Sequence, residues 1–116
     1  MTVPQSTDST PADREHAALV ASLRAAIRDV PDFPRPGILF RDITPILADG
    51  TLFGRATAAM AAPFRGAGVT HVAAIESRGF IFGAPIAQHL GVGLVPLRKP
   101  GKLPAARRRV EYALEY

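Results

Sequence analysis

Two short apolar runs separated by a helical segment constrain the fold of this chain more than any other feature. The runs 70–75 (THVAAI) and 93–97 (GLVPL) are each bounded by turn residues, as buried strands of a parallel sheet are. Between them, 80–90 (FIFGAPIAQHL) is helical in character, and Gly91 follows as a stop signal. A strand, a helix and a strand in so short a span form a right-handed crossover unit, which predicts an α/β fold.

The N-terminal part of the sequence predicts a tail followed by a helix. Residues 1–11 are polar and without periodicity, which predicts a disordered tail. Thr10 as N-cap and Pro11 at the first helical position begin a helix that we predict over 11–29.

A proline-rich segment separates this helix from the next. Three prolines in 31–37 (PDFPRPG) hold the chain extended and predict a stiff loop. Residues 38–40 favour a short strand, and 43–50 (ITPILADG) favour a turn. A second helix is expected after a cap at Asp49 or Thr51, running to about Phe64.

The composition bounds the class of protein. The 116 residues are 47% apolar and 21% charged, which suits one globular domain. The chain has no cysteine, so disulfides and thiolate metal sites are excluded. It also has no apolar run of about 18 residues and no basic leader, so we expect a cytoplasmic protein without a membrane segment.

The positive charge is concentrated near the C-terminus. The formal net charge is +4, yet six cations and no acid lie between positions 98 and 109. Because no aromatic side chains interleave these cations, a small anion is favoured over single-stranded nucleic acid. A solvated basic loop, or a nonspecific nucleic-acid patch, is the open alternative.

Two polar segments follow the predicted strand ends, where α/β sheets bind ligands. The first, Glu76, Ser77, Arg78 and Gly79, opens a helix, and the N–H groups of a helix start bind anions. The second contains Arg98, Lys99 and Lys102 and should lie at the same edge of the sheet. The plain alternative for the first segment is a helix capped by Ser77 beside an exposed arginine.

Three further features have less specific meanings. Leu39, Phe40 and Arg41 follow the proline-rich loop and offer a rigid surface on which a planar base could stack, although core packing is the commoner role. Glu115 is a candidate general acid, although a single glutamate in a sequence does not by itself indicate catalysis. The three histidines lack metal-ligand spacing, so no protein-held metal is predicted.

Four segments together resemble the adenine phosphoribosyltransferases in order and spacing: PDFPRPGILFRDITP, IESRGFIFGAP, GLVPLRKPGKLP and LEY. The resemblance covers about residues 20–116. It implies a type I phosphoribosyltransferase fold, a parallel sheet flanked by helices. It also implies a cytoplasmic homodimer for purine salvage that converts adenine and phosphoribosyl pyrophosphate into AMP and pyrophosphate, with Mg²⁺ bound with the substrate.

The resemblance also assigns roles by position. Leu39, Phe40 and Arg41 lie in the adenine-binding segment, which contacts the base mainly through its backbone. The pyrophosphate-binding residues are those of two segments: Glu76, Ser77, Arg78 and Gly79, whose first peptide bond is often cis in the family, and Arg98, Lys99 and Lys102. Glu115 corresponds to the catalytic residue that handles the proton on adenine N7, and Tyr116 to the end of the mobile loop.

One part of the family pattern is missing. After LEY the family continues to two adjacent acids and a glycine-rich loop for the ribose phosphate, whereas this sequence has no adjacent acids and no Gly-Gly. We therefore expect 12–116 to be the N-terminal part of a phosphoribosyltransferase domain, truncated before the phosphoribosyl pyrophosphate-binding motif and inactive alone. A noncatalytic adenine- or pyrophosphate-binding remnant, or half of a split enzyme, is the alternative.

Overall fold

The computed structural model describes residues 8–104 and 108–109. It divides after Ala56 into two compact units. Within the described residues, no helix is long and apolar enough to cross a membrane. The helices are α1 (Pro11–Ala26), α2 (Thr44–Ala48), α3 (Gly50–Ala61) and α4 (Arg78–Leu90), with a 3₁₀ turn at Ala62–Phe64; the strands are β1 (Arg28–Pro31), β2 (Leu39–Asp42), β3 (His71–Ile75) and β4 (Gly93–Leu97).

Helix α1 begins as predicted and ends earlier than predicted. The Thr10 hydroxyl accepts from the Asp13 N–H, and the Asp13 carboxylate accepts from the Thr10 N–H, which completes a capping box. Thr10 and Pro11 thus belong to the helix and not to the predicted tail. The helix stops at Ala26 and not at residue 29, because the residues from Arg28 onward pair as a strand.

That strand forms an antiparallel hairpin with β2 around the proline-rich loop. Arg28 lies opposite Asp42 and Asp29 lies opposite Arg41, so the two Arg-Asp dipeptides, 28–29 and 41–42, pair in opposite directions. Both pairs are ion pairs, with N–O distances of 2.6 and 2.8 Å. The prediction of an extended loop missed this hairpin, since its register depends on two charge pairs that become neighbours only on folding.

The segment predicted as a turn contains a short helix, α2, so that prediction is wrong. The Asp42 carboxylate accepts from the Thr44 N–H at 2.9 Å and satisfies a donor at its start. Of the two predicted caps for the next helix, the structure uses Asp49, whose side chain accepts from the Leu52 N–H at 3.0 Å. Helix α3 ends at Ala61, and the 3₁₀ turn carries the chain to Phe64.

The second unit contains the predicted strand, helix and strand. Strands β3 and β4 are parallel, in a register that runs from His71 beside Gly93 to Ile75 beside Leu97. Helix α4 connects them and ends at Gly91, whose φ of 67° places it in the left-handed region of a helix C-cap. The α/β fold class is confirmed. Both predicted ligand-binding loops follow strands of this parallel pair and begin at the same edge.

Small side chains build the core of this unit. Ala74 of β3 and Ala87 of α4 are buried, as is Gly83 of α4. A β-carbon on Gly83 would lie 2.5 Å from the Ala74 β-carbon and 3.5 Å from a Leu94 methyl group. Helix and strand therefore approach each other more closely than two alanines allow, and this approach fixes where α4 begins above the sheet edge.

This close approach gives a stability prediction. We expect Gly83→Ala to lower the free energy of unfolding by about 1–3 kcal/mol, because the added methyl group collides with a side chain attached directly to the backbone. Urea denaturation followed by circular dichroism measures the change.

Two variants serve as controls for that experiment. Gly54 in α3 has no atom within 4 Å of an added β-carbon, so Gly54→Ala should stabilise the chain by up to about 1 kcal/mol. Adding Ala74→Gly to the Gly83→Ala chain removes the colliding methyl group and should recover part of the loss. A Gly83→Ala chain as stable as the original would contradict the packing.

Candidate functional site: two strand-end loops and a hairpin

The first strand-end loop, 76–79, leaves β3 and enters α4. The Glu76 N–H donates to the Leu97 carbonyl at 2.9 Å, which extends the β3–β4 ladder by one residue. The Glu76–Ser77 peptide bond is cis, as the family resemblance implied. Helix α4 then begins at Arg78, and Ser77 makes no side-chain cap hydrogen bond within the part of the chain that the structure describes. The plain alternative, a helix start capped by the Ser77 hydroxyl, is therefore not what the structure shows.

The second strand-end loop, 98–102, is a tight turn directly after β4. The Lys102 N–H donates to the Lys99 carbonyl at 3.2 Å, and Gly101 has a φ of 82°. Pro100 and Gly101 occupy the two central positions, which is the pattern of a type II turn. The Arg98 guanidinium donates to the Lys102 carbonyl at 3.3 Å and ties the two ends of the loop together.

Glu76 connects the two loops. One of its carboxylate oxygens accepts from the Lys99 N–H in a short hydrogen bond. The other lies 3.8 Å from an Arg98 guanidinium nitrogen, and the Glu76 side chain is only 17% exposed. The expectation that the two strand ends converge is thus confirmed, and the carboxylate predicted to bind pyrophosphate is directed at the neighbouring loop.

Three cations remain directed to solvent around this junction. Arg78, Lys99 and Lys102 are exposed, and no ion pair engages them among residues 8–104 and 108–109. Four cations and one carboxylate in the two loops leave a formal charge of three positive. With the N–H groups at the start of α4, this edge is suited to a multiply charged anion.

The predicted base-binding residues lie on β2 of the hairpin, in the first unit. Leu39 is 49% exposed, and the Phe40 ring meets the Phe33 ring edge to face at a centroid distance of 5.1 Å. Arg41 is exposed, and its guanidinium is held by Asp29. The prediction of a rigid apolar surface agrees with this geometry, although Phe40 partly packs against the loop.

The hairpin leaves alternate backbone groups of β2 for another partner. The Ile38 carbonyl accepts from the Phe33 N–H across the hairpin, and Pro31, opposite Leu39, has no N–H to give. In an antiparallel pair, backbone groups point alternately toward the partner strand and away from it. Ile38 and Phe40 therefore direct theirs at β1, whereas Leu39 and Arg41 direct theirs outward.

Sequence reasoning missed the residues that hold this hairpin. Arg28, Asp29 and Asp42 were assigned no role, yet they fix the strand that carries Leu39 and Arg41. The two RD dipeptides at 28–29 and 41–42 were the available signal, since antiparallel pairing places each arginine opposite an aspartate. The predicted residues Glu115 and Tyr116 lie outside the described residues.

A parallel strand, helix and strand with two cationic loops at one edge is the architecture expected of part of a phosphoribosyltransferase. No family model matches the chain. Comparison with individual known proteins nevertheless finds similar sequences. The chain is 58% identical over 114 residues to the adenine phosphoribosyltransferase of Myxococcus xanthus, covering 98% of this chain and 58% of that protein.

Solved structures of adenine phosphoribosyltransferases are also similar to this chain. The adenine phosphoribosyltransferase of Thermoanaerobacter pseudethanolicus is 48% identical with a TM-score of 0.75, over 80% of this chain and 55% of that one. The Saccharomyces cerevisiae enzyme, complexed with an iminoaltritol bisphosphate and adenine, is 39% identical with a TM-score of 0.73, over 78% and 56%. The chain is thus a relative of the adenine phosphoribosyltransferases, and it spans a little over half of their length.

The hairpin network predicts a pH dependence of stability. Hydrogen bonds from the Thr44 backbone N–H and from Arg28 lower the pKa of Asp42 from 3.8 to about 2. A lowered folded-state pKa stabilises the fold above the unfolded pKa, and the contribution is lost as the pH falls from about 4 toward 2. We expect the melting temperature of the original chain to fall more steeply over this interval than that of Asp42→Asn. Thermal melts at a series of pH values measure both curves, and parallel curves would contradict the role of Asp42.

Proposed function

We propose that this chain supplies the adenine- and diphosphate-binding surfaces of a purine-salvage enzyme, which converts adenine and phosphoribosyl pyrophosphate into AMP and pyrophosphate. The observation that carries the proposal is the convergence of two cationic strand-end loops in a chain 58% identical to an adenine phosphoribosyltransferase. Because the chain spans just over half of such a protein, the activity is proposed for the whole enzyme.

The diphosphate is the ligand that suits the strand-end loops. Its two phosphoryl groups need several donors at once, and a helix start beside Arg78, Lys99 and Lys102 offers both N–H groups and positive charge. As the bond from ribose to the leaving diphosphate lengthens, negative charge grows on that diphosphate. Fixed cations at this edge then stabilise the transition state more than the ground state.

Adenine is the ligand that suits the outward side of β2. The outward N–H and C=O groups of Leu39 and Arg41 can pair with a base that presents both a donor and ring-nitrogen acceptors. The ion pair to Asp29 leaves the Arg41 side chain occupied, which is consistent with reading of the base by the backbone. The yeast relative was crystallised with adenine and with a bisphosphate, so it binds both a purine base and a phosphorylated ligand.

Magnesium enters this proposal as part of the substrate. Within the described ranges, no group of three or more His, Asp or Glu side chains could hold a metal ion. Mg²⁺ often binds through substrate phosphates with few protein carboxylates, so we propose that it enters with the diphosphate and offsets part of its charge.

The remaining assignments rest on the resemblance alone. The proton transfer by Glu115, the mobile loop ending at Tyr116, the homodimer and the cytoplasmic location stay predictions. A positioned acid or base of this kind raises the reaction rate by about 10² to 10⁴, so the role of Glu115 is tested in a protein that turns over substrate.

Turnover by the chain itself tests the function. We expect the purified 116-residue chain to bind adenine and pyrophosphate in calorimetry. We expect it to form no AMP from labelled adenine, because the sequence lacks the acidic pair and glycine-rich loop that hold the ribose phosphate. Binding of neither ligand would refute the proposal. Binding without turnover, persisting when the missing segment of a relative is added, would favour a noncatalytic binding protein.

Individual cations can be tested in the same assay. We expect Arg78→Ala and Lys102→Ala each to weaken pyrophosphate binding by about 10- to 100-fold, since a charge-assisted hydrogen bond contributes about 1.5–3 kcal/mol. Adenine binding should stay unchanged in both variants.

Arg24, an exposed cation in the last turn of α1, provides the matched control. Arg24→Ala should leave pyrophosphate affinity within about twofold, the range expected of a charge screened by solvent and salt. Equal losses in all three variants would show that overall charge, and not the strand-end loops, attracts the anion.

A further inference from the structure

We propose that Glu76 is a positioning residue, which holds the second strand-end loop in its binding conformation and does not itself contact the diphosphate. This inference rests on the proposed function and deepens it, because it separates the residue that shapes the site from the cations that bind there. The family resemblance places Glu76 among the pyrophosphate-binding residues, and the geometry points to a different role.

The contacts of Glu76 are all directed at the neighbouring strand end. Its backbone N–H donates to the Leu97 carbonyl at 2.9 Å, and its carboxylate accepts from the Lys99 N–H. Glu76 thus forms hydrogen bonds with Leu97, the last residue of β4, and with Lys99, two residues later. These bonds lie on either side of Arg98, whose guanidinium lies 3.8 Å from the second carboxylate oxygen.

The constraint passes from Glu76 through the turn to Lys102. Arg98 donates to the Lys102 carbonyl, and the Lys102 N–H donates to the Lys99 carbonyl. The carboxylate therefore fixes the first residue of the turn directly and the last residue through the turn and Arg98. Without it, the Lys99 N–H loses this acceptor, and the second loop loses a direct hydrogen bond to the first.

Electrostatics argue against direct contact between Glu76 and the diphosphate. A carboxylate beside a phosphate is a like charge, and repulsion between like charges lowers affinity. Here the carboxylate is mostly buried, accepts from the Lys99 N–H and lies beside the Arg98 guanidinium, whereas the Lys99 and Lys102 side chains are exposed. The negative charge of Glu76 therefore lies between the two loops, and the positive charges of Lys99 and Lys102 lie at the surface.

Three substitutions separate a positioning role from a contact. Glu76→Gln keeps an oxygen that accepts from the Lys99 N–H but loses the charge, Glu76→Ala removes both, and Glu76→Asp shortens the reach. Each is made in the 116-residue chain. Calorimetry with sodium pyrophosphate gives the affinity, and amide hydrogen exchange at Lys99 reports the hydrogen bond directly.

We expect Glu76→Ala to weaken pyrophosphate binding at least tenfold and to speed exchange of the Lys99 amide at least tenfold. Glu76→Gln should stay within about threefold of the original chain in both measurements, because it preserves the acceptor. A residue that only supports the fold would not show this rescue together with a change at one amide.

Two results would overturn the proposal. If Glu76→Ala and Glu76→Gln both bind pyrophosphate more tightly, the carboxylate faces the anion and repels it. If both bind more weakly while the Lys99 amide is unchanged, Glu76 acts on the ligand and not on the loop. Should Glu76→Ala fail to fold, Glu76→Asp takes its place, with the same expected losses.

The exchange measurement also separates this inference from the proposed function. If the original chain binds no pyrophosphate, the function proposed above fails. The Lys99 amide still shows whether Glu76 holds the loop, because equal protection of this amide in the original chain and in Glu76→Ala would by itself overturn the positioning role.

Discussion

The parallel pairing of β3 with β4 is the constraint on which the candidate diphosphate site depends. Because Ile75 lies beside Leu97, the two loops that follow begin side by side, and Glu76 joins them through its backbone and its carboxylate. Helix α4 connects the two strands and lies close to the sheet, which the absence of a side chain at Gly83 permits. The register of the two strands thus determines where several cations meet at the edge.

Opposite charges are used differently in the two units. On the two hairpin strands, Arg28 and Arg41 are each matched by an aspartate directly across, so these charge pairs favour one register. At the strand ends, cations outnumber acids, and the single carboxylate is turned toward the loop. Neutralised pairs build the surface that suits a neutral base, whereas an excess of positive charge builds the surface that suits an anion.

The crossover unit was predictable because its signals are local. Strand β4 and the Gly91 cap agree with the sequence reading, and β3 differs by one residue. The end of helix α1 and the turn at 43–50 were misjudged, since both depend on the hairpin. An amphipathic pattern continues past Ala26, but pairing between residues 28–31 and 39–42 outweighs the weak preference of three residues for a helix.

The sequence by itself determined the fold class, the strand, helix and strand of the crossover unit, and the residue types at both proposed ligand surfaces, because periodicity, caps and charge runs are written within a few neighbouring residues. Only the tertiary structure decided which backbone groups of β2 face β1 and that the Glu76 carboxylate contacts the second loop. Both facts depend on partners more than ten residues away, Arg28 and Asp29 in one case and Lys99 in the other. Chain folding brings these groups within hydrogen-bond distance, and no local pattern specifies which of several acceptors a donor will meet.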